Sequence, residues 1–214
     1  MSISALNWNY YLALERDLSS TFHYVKCCTD NYKTYSIEFE KIFLSICAEF
    51  DSVFKDYAVM NSAAKRPSNI EVAFKLLNGS NSLGFSNLSV QLLVDQGRQL
   101  QPLSTWSKGR YKKLGWWENY NGIKHDRSSS YKYANLKNCL NSLASLYLIE
   151  IASLREAGIK RLSPTSSMFS VEDKLFCRAL PGQNGQWDLV IDLKELQETQ
   201  NMVPSFLMTQ TQPV

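Results

Sequence analysis

Histidine is almost missing from this chain: His23 and His125 are the two in 214 residues. Any chemistry that needs an imidazole must use one of them. Cysteine occurs five times, at Cys27, Cys28, Cys47, Cys139 and Cys177, and no pair has the C-x-x-C spacing. The common zinc and dithiol signatures are therefore excluded. His23 and Cys27 stand four apart with no second ligand pair, so neither a metal nor a cofactor is expected. The thiols read as reduced core residues, which fits a cytoplasmic protein. No apolar run approaches the roughly 18 residues that cross a bilayer. The start, MSISALNWNYYLALERDL, has no basic region followed by an apolar one. The expectation is a soluble, unprocessed chain without a membrane partner. A net charge of +3 is too small to announce a nucleic-acid binder, although a local patch remains open, because fields depend on where charges sit. No internal repeat is visible.

What is present is ordinary globular material, 44% apolar and 20% charged. That composition and length suit one domain with a short C-terminal addition. Leu14, Leu18, Phe22 and Val25 recur at helical steps and predict a helix from about residue 6 to 28. Ser36 is a candidate N-cap for the next helix, with Glu38 in its first turn. Its apolar stripe is Ile42, Phe43, Ile46, Cys47, Phe50, Val53, Phe54 and Tyr57. Pro67 interrupts, and Ser68 is placed to cap a short helix that stops near Gly79. Leu88, Val90, Leu92 and Val94 alternate, as an extended segment does, although a packed loop fits the flanking residues equally. A long helix is predicted from about 130 to 157, with Tyr133, Leu136, Leu140, Leu143, Tyr147, Ile151 and Leu154 on its buried face, ending at Gly158. KRLSPTSSM reads as a linker. The two apolar runs around P-G-Q-N-G read as a β-hairpin, followed by a polar tail. The predicted fold is all-α, a helical bundle over residues 1–158, with 159–214 forming linker, small β-hairpin appendage and tail.

The stretch WWENYNGIKHDR, residues 116 to 127, concentrates the chemistry. On a short helix Asn121 and His125 are four apart on one face, with Lys124 beside them. Trp117 and Tyr120 share a neighbouring face. An amide, an imidazole and a cation directed at one spot suit an anion such as an RNA phosphate, with Arg127 able to fold back onto it. Arg110, Lys112 and Lys113 could extend a basic track. Trp106, Trp116 or Trp117 could stack on unpaired bases, although packing is the simpler role for Trp117. RNA cleavage by transesterification needs a base for the 2′-hydroxyl, an acid for the leaving 5′-oxygen and cations for the phosphate. One histidine does not easily serve as both, so a homodimer pairing two copies of His125 is expected.

The segment YNGIKH followed by a long apolar helix resembles the signature region of the HEPN superfamily, compact helical bundles found in bacterial toxins, abortive-infection proteins and CRISPR-linked ribonucleases. That family's motif is R-N-x-x-x-H. Asn121 matches the polar position and His125 the histidine, while Tyr120 stands where the arginine belongs. The resemblance covers roughly residues 5 to 157. It implies a metal-independent endoribonuclease of a phage-defence or toxin–antitoxin system, with His125, Asn121 and Arg127 as catalytic candidates and Lys124, Tyr120, Arg110, Lys112 and Lys113 as substrate contacts. It also implies a carboxylate facing the motif from the upstream helix, here Glu49 or Asp51. Tyrosine supplies no charged, forked donor. The alternative is therefore a non-catalytic module that uses the same fold to hold a partner protein.

Overall fold

The fold was analysed in a computed structural model that describes residues 3–80, 85–106, 110–171, 178–181 and 187–190, with backbone alone for 3–6, 78–80, 85 and the last two segments. The helices are α1 (Ile3–Ser20), α2 (Ile37–Ser62), α3 (Ile70–Ser80), α4 (Gly115–His125), the single turn α5 (Arg127–Ser130) and α6 (Leu136–Glu156). The first helix is shorter than its periodicity predicts. After Ser20 the chain tightens into a 3-10 turn over Thr21–His23, and Thr21 donates its hydroxyl to the Leu18 carbonyl at 2.6 Å. A threonine that bonds its own backbone competes with helix continuation.

Ser36 caps α2 as its position predicts, accepting from the Phe39 amide at 3.1 Å. The cap of α3 is Asn69 rather than Ser68: its Oδ1 accepts from the Val72 amide at 3.0 Å. The long C-terminal helix starts later than expected. Asn135 accepts from the Asn138 amide at 3.0 Å and starts α6 there. Tyr133 consequently lies on a 3-10 turn and is exposed instead of buried. Gly158, with φ of +74°, ends the segment in a left-handed conformation that a side chain resists.

The centre of the bundle is the pair α2 and α6, which run parallel. Near their starts the Cys139 thiol donates to the Phe39 carbonyl at 3.4 Å. Every residue from Ser142 to Ala152 is buried, so α6 is covered all round. Ser142 and Ser145 permit close neighbours because their hydroxyls donate back to their own helix, at 3.1 and 2.8 Å. α1 lies antiparallel to this pair on one flank, where Trp8 and Tyr11 stack at 4.7 Å and Tyr11 meets Tyr147 of α6 at 5.6 Å. α4 lies antiparallel to α2 on another flank, with Tyr120 against Phe43 and Trp116 against Phe50. Each fully buried aromatic of this core stabilises the fold by about 1.5–3 kcal/mol relative to exposure.

Two small antiparallel sheets complete the architecture. In one, β1 (Val90–Leu92) pairs with β2 (Arg98–Leu100) and with β4 (Phe169–Ser170), Val90 facing Leu100 and Leu92 facing Phe169. The alternation of Leu88, Val90 and Leu92 holds, but Val94 falls on a tight turn and is exposed. In the other sheet β6 (Trp187–Val190) pairs with both β3 (Arg161–Leu162) and β5 (Arg178–Pro181). The expected hairpin strands therefore pair, while their turn, Cys177 and the polar tail lie outside the described residues. The protein is thus mostly helical with small antiparallel sheets. No helix among the described residues is long and apolar enough to cross a membrane.

The segment read as a linker is tied down. Trp8 donates its indole N–H to the Pro164 carbonyl at 3.0 Å, and Tyr11 shares a hydrogen bond with Ser166 at 3.0 Å. Glu15 Oε1 accepts from the Ser167 amide, the Ser167 hydroxyl and the Met168 amide at 2.6, 2.5 and 2.9 Å. The loop reading holds for residues 163–168, whereas Arg161–Leu162 is strand β3, and a buried carboxylate on α1 holds that loop in one place.

Candidate functional site

The helix α4 forms with a glutamate, Glu118, in its first turn and Lys124 and His125 in its last, each favourable to the helix dipole. Trp116, Trp117, Tyr120 and Ile123 form its buried side. The remaining face carries Asn121, half-buried, with Lys124 and His125 exposed. The shared face predicted from spacing is therefore present. The helix closes where the Asp126 amide donates to the Gly122 carbonyl at 2.8 Å. Asp126 then caps α5, accepting from the Ser129 amide and the Ser128 hydroxyl; hydrogen bonding by the Ser129 side chain, then by the Ser128 hydroxyl and the Ser129 amide, holds its carboxyl below its ordinary pKa. Gly122 permits the tight return: a β-carbon there would lie 3.0 Å from the Ser130 hydroxyl oxygen.

Immediately after the helix, Arg127 reaches Glu40 of α2 at 2.7 Å. The Glu40 side chain is 4% exposed and that of Arg127 is 66% exposed. The buried carboxylate anchors one edge of the guanidinium while the rest faces water. Glu40 is thus a carboxylate from α2 that meets the motif region, and Asp51, one of the two expected acids, lies near Tyr120. Asp51 pairs with Lys55 at 2.5 Å, and Glu49 is electrostatically coupled to the buried Glu150 of α6. Glu40 was legible in principle. It extends the buried row Phe43, Cys47, Phe50 and Phe54 one turn towards the N-terminus, and an acid on an apolar stripe needs a partner.

Tyr120 packs its ring into the bundle. It is buried between Phe43 at 6.3 Å and Trp117 at 4.9 Å between ring centroids, and burial, with Cys47 and Asp51 nearby, raises its phenol pKa. The Lys124 ammonium lies 5.9 Å from its ring centroid. The tryptophans are core as well, as expected for Trp117 and against base stacking by Trp106 or Trp116. Trp106 packs on Phe54 and Phe74 at 5.0 and 5.1 Å, Trp116 donates to the Pro102 carbonyl, and Trp117 is 8% exposed. Arg110, Lys112 and Lys113 are exposed, and the Trp106 indole fixes their loop through the Lys112 carbonyl at 3.0 Å. They precede α4, whereas Lys124 and His125 end it. An 11-residue helix separates the two groups by about 16 Å, so they flank α4 instead of meeting.

Chemically, the arrangement presents an anchored guanidinium edge, an ammonium, an amide and an imidazole at one end of α4. Those groups can donate to an anion and move a proton. Comparison of the chain with protein-family models, with curated proteins and with solved structures found no match.

Proposed function

We propose that the chain is a HEPN-like, RNA-directed protein of a bacterial phage-defence or toxin–antitoxin system, acting as a homodimer in the cytoplasm. The observation that carries this reading is the grouping of Asn121, Lys124 and His125 on the exposed face of α4, beside Arg127 anchored by the buried Glu40. A bundle needs no such cluster for packing, since the apolar side of α4 already supplies the contacts to α2. Arg127 takes the part of the arginine missing at Tyr120, and its free edge and Lys124 bind the phosphate. In the cleavage step, which needs no metal, the 2′-oxygen attacks phosphorus as one His125 takes its proton. The His125 of the second copy protonates the departing 5′-oxygen. Arg110, Lys112 and Lys113 contact the RNA further along α4.

The buried Tyr120 favours a second reading, a helical module that binds a partner protein of the same system without cutting. Incubation of the purified protein and of His125→Ala with mixed single-stranded RNA in EDTA separates the two. The nuclease reading expects products from the parent alone. Uncut RNA with both proteins would remove it, and a monomeric mass at micromolar concentration would remove the composite dimer site.

A further inference from the structure

A groove of about 640 Å³ lies between the end of α1 and the start of α2, lined by Asp17, Ser20, Thr21, Tyr24, Val25, Ser36, Glu38 and Phe39. It is separate from the Arg127 site. Glu38 and Glu40, two positions apart on a helix, point to different sides, and it is Glu40 that meets Arg127. The serine and threonine hydroxyls of the groove already have partners. Ser20 donates to the Arg16 carbonyl at 2.8 Å, Thr21 to the Leu18 carbonyl at 2.6 Å, and Ser36 accepts from the Phe39 amide at 3.1 Å. The charged groups in the lining are both carboxylates. Asp17 is exposed and has no ion pair among the described residues, while Glu38 meets Lys41 in an exposed pair. Of the apolar lining residues Phe39 is buried in the core, so the apolar surface open to a ligand is that of half-buried Val25 and of Tyr24. Tyr24, also in the lining, is 91% exposed, the most exposed of the large apolar side chains described.

Acid at the rim, apolar atoms inside and an uncovered aromatic ring match one kind of side chain. Arginine and lysine carry an aliphatic stem that packs on apolar surface and a cation that seeks carboxylates or a ring face. The geometry points to this groove as a docking site for a segment of a partner protein that carries arginine next to an apolar residue. The stem lies along Val25 and the exposed Tyr24 ring, and the guanidinium bonds Asp17 and Glu38. A nucleic acid is disfavoured at the same place because its phosphates would face two carboxylates.

The test is a nuclear magnetic resonance titration of the full chain, labelled with ¹⁵N, using the peptide acetyl-Ala-Arg-Leu-Arg-Ala-amide. The expected result is a saturable shift of the amides of Asp17, Thr21, Tyr24, Val25, Glu38 and Phe39, with a dissociation constant on the order of 1 mM. The double variant Asp17→Asn/Glu38→Gln should bind about tenfold more weakly and Tyr24→Ala about threefold more weakly, in line with charge-assisted and cation–π contacts. Binding should persist in His125→Ala, which separates this site from the proposed RNA site. Equal binding of a peptide with glutamine in place of arginine would overturn the proposal. So would groove shifts caused by oligouridylate, or groove shifts on concentrating the protein alone, which would assign the surface to RNA or to a second copy.

Discussion

Arg127 and Glu40 are 87 residues apart in sequence and 2.7 Å apart in space, and the two sides of this contact sit in different solvents. Glu40 is enclosed by the bundle, while most of Arg127 is wet. Removing the arginine strands a carboxylate, whereas neutralising the acid leaves a cation that water can solvate.

That asymmetry predicts unequal variants. Arg127→Ala should lower unfolding stability by about 1–3 kcal/mol, the range for a buried polar group that loses its charged partner, with screening holding it to the lower half. Glu40→Gln should be milder, and the double variant should recover part of the single Arg127 loss. Urea unfolding of the three proteins measures this. Equal stability of Arg127→Ala and parent would show that the contact anchors nothing.

A second prediction concerns pH. Glu150 is buried in α6 with one carboxyl oxygen lacking a hydrogen bond, and burial, together with nearby Glu49, pushes its pKa from 4.5 up to about 8. The folded state holds this proton more tightly than the unfolded chain does. The resulting stability is fully present below pH 4.5 and is lost progressively as pH rises to about 8. Over that interval the loss should be on the order of a few kcal/mol. Glu150→Gln, which stays neutral, should flatten this slope and be more stable than the parent at pH 8. Parallel stability curves for the two proteins between pH 5 and 8 would contradict the assignment.

The third concerns the clasp between α1 and the loop before β4. Glu15→Ala removes the acceptor for two amides and a hydroxyl. Stability should fall by about 2–3 kcal/mol, as for buried donors left without a partner. Hydrogen exchange should quicken at the Ser167 and Met168 amides before it does in α6. Unchanged protection at those two amides would mean that the loop holds its place without Glu15.

Part of this architecture is determined by local sequence. The apolar stripe of α2, the cap at Ser36 and the stop at Gly158 follow from periodicity and backbone preference, which act within a turn or two. So does the shared face of Asn121, Lys124 and His125, because helical spacing alone sets it. Starts and stops were less legible where Thr21 or Asn135 redirected the backbone with a side-chain hydrogen bond. Tertiary structure decided the rest. A helical period says that Trp116, Trp117 and Tyr120 share a side, but only packing against Phe43 and Phe50 makes that side core and withdraws it from RNA. Polar composition gives KRLSPTSSM no fixed place, but Trp8, Tyr11 and Glu15, about 150 residues earlier, hold it in one. Composition likewise offered five acids on α2 for Arg127, and the docking of α4 chose Glu40. Contacts of this kind form between residues far apart in the chain, whose meeting depends on how whole faces pack, and no local pattern encodes that.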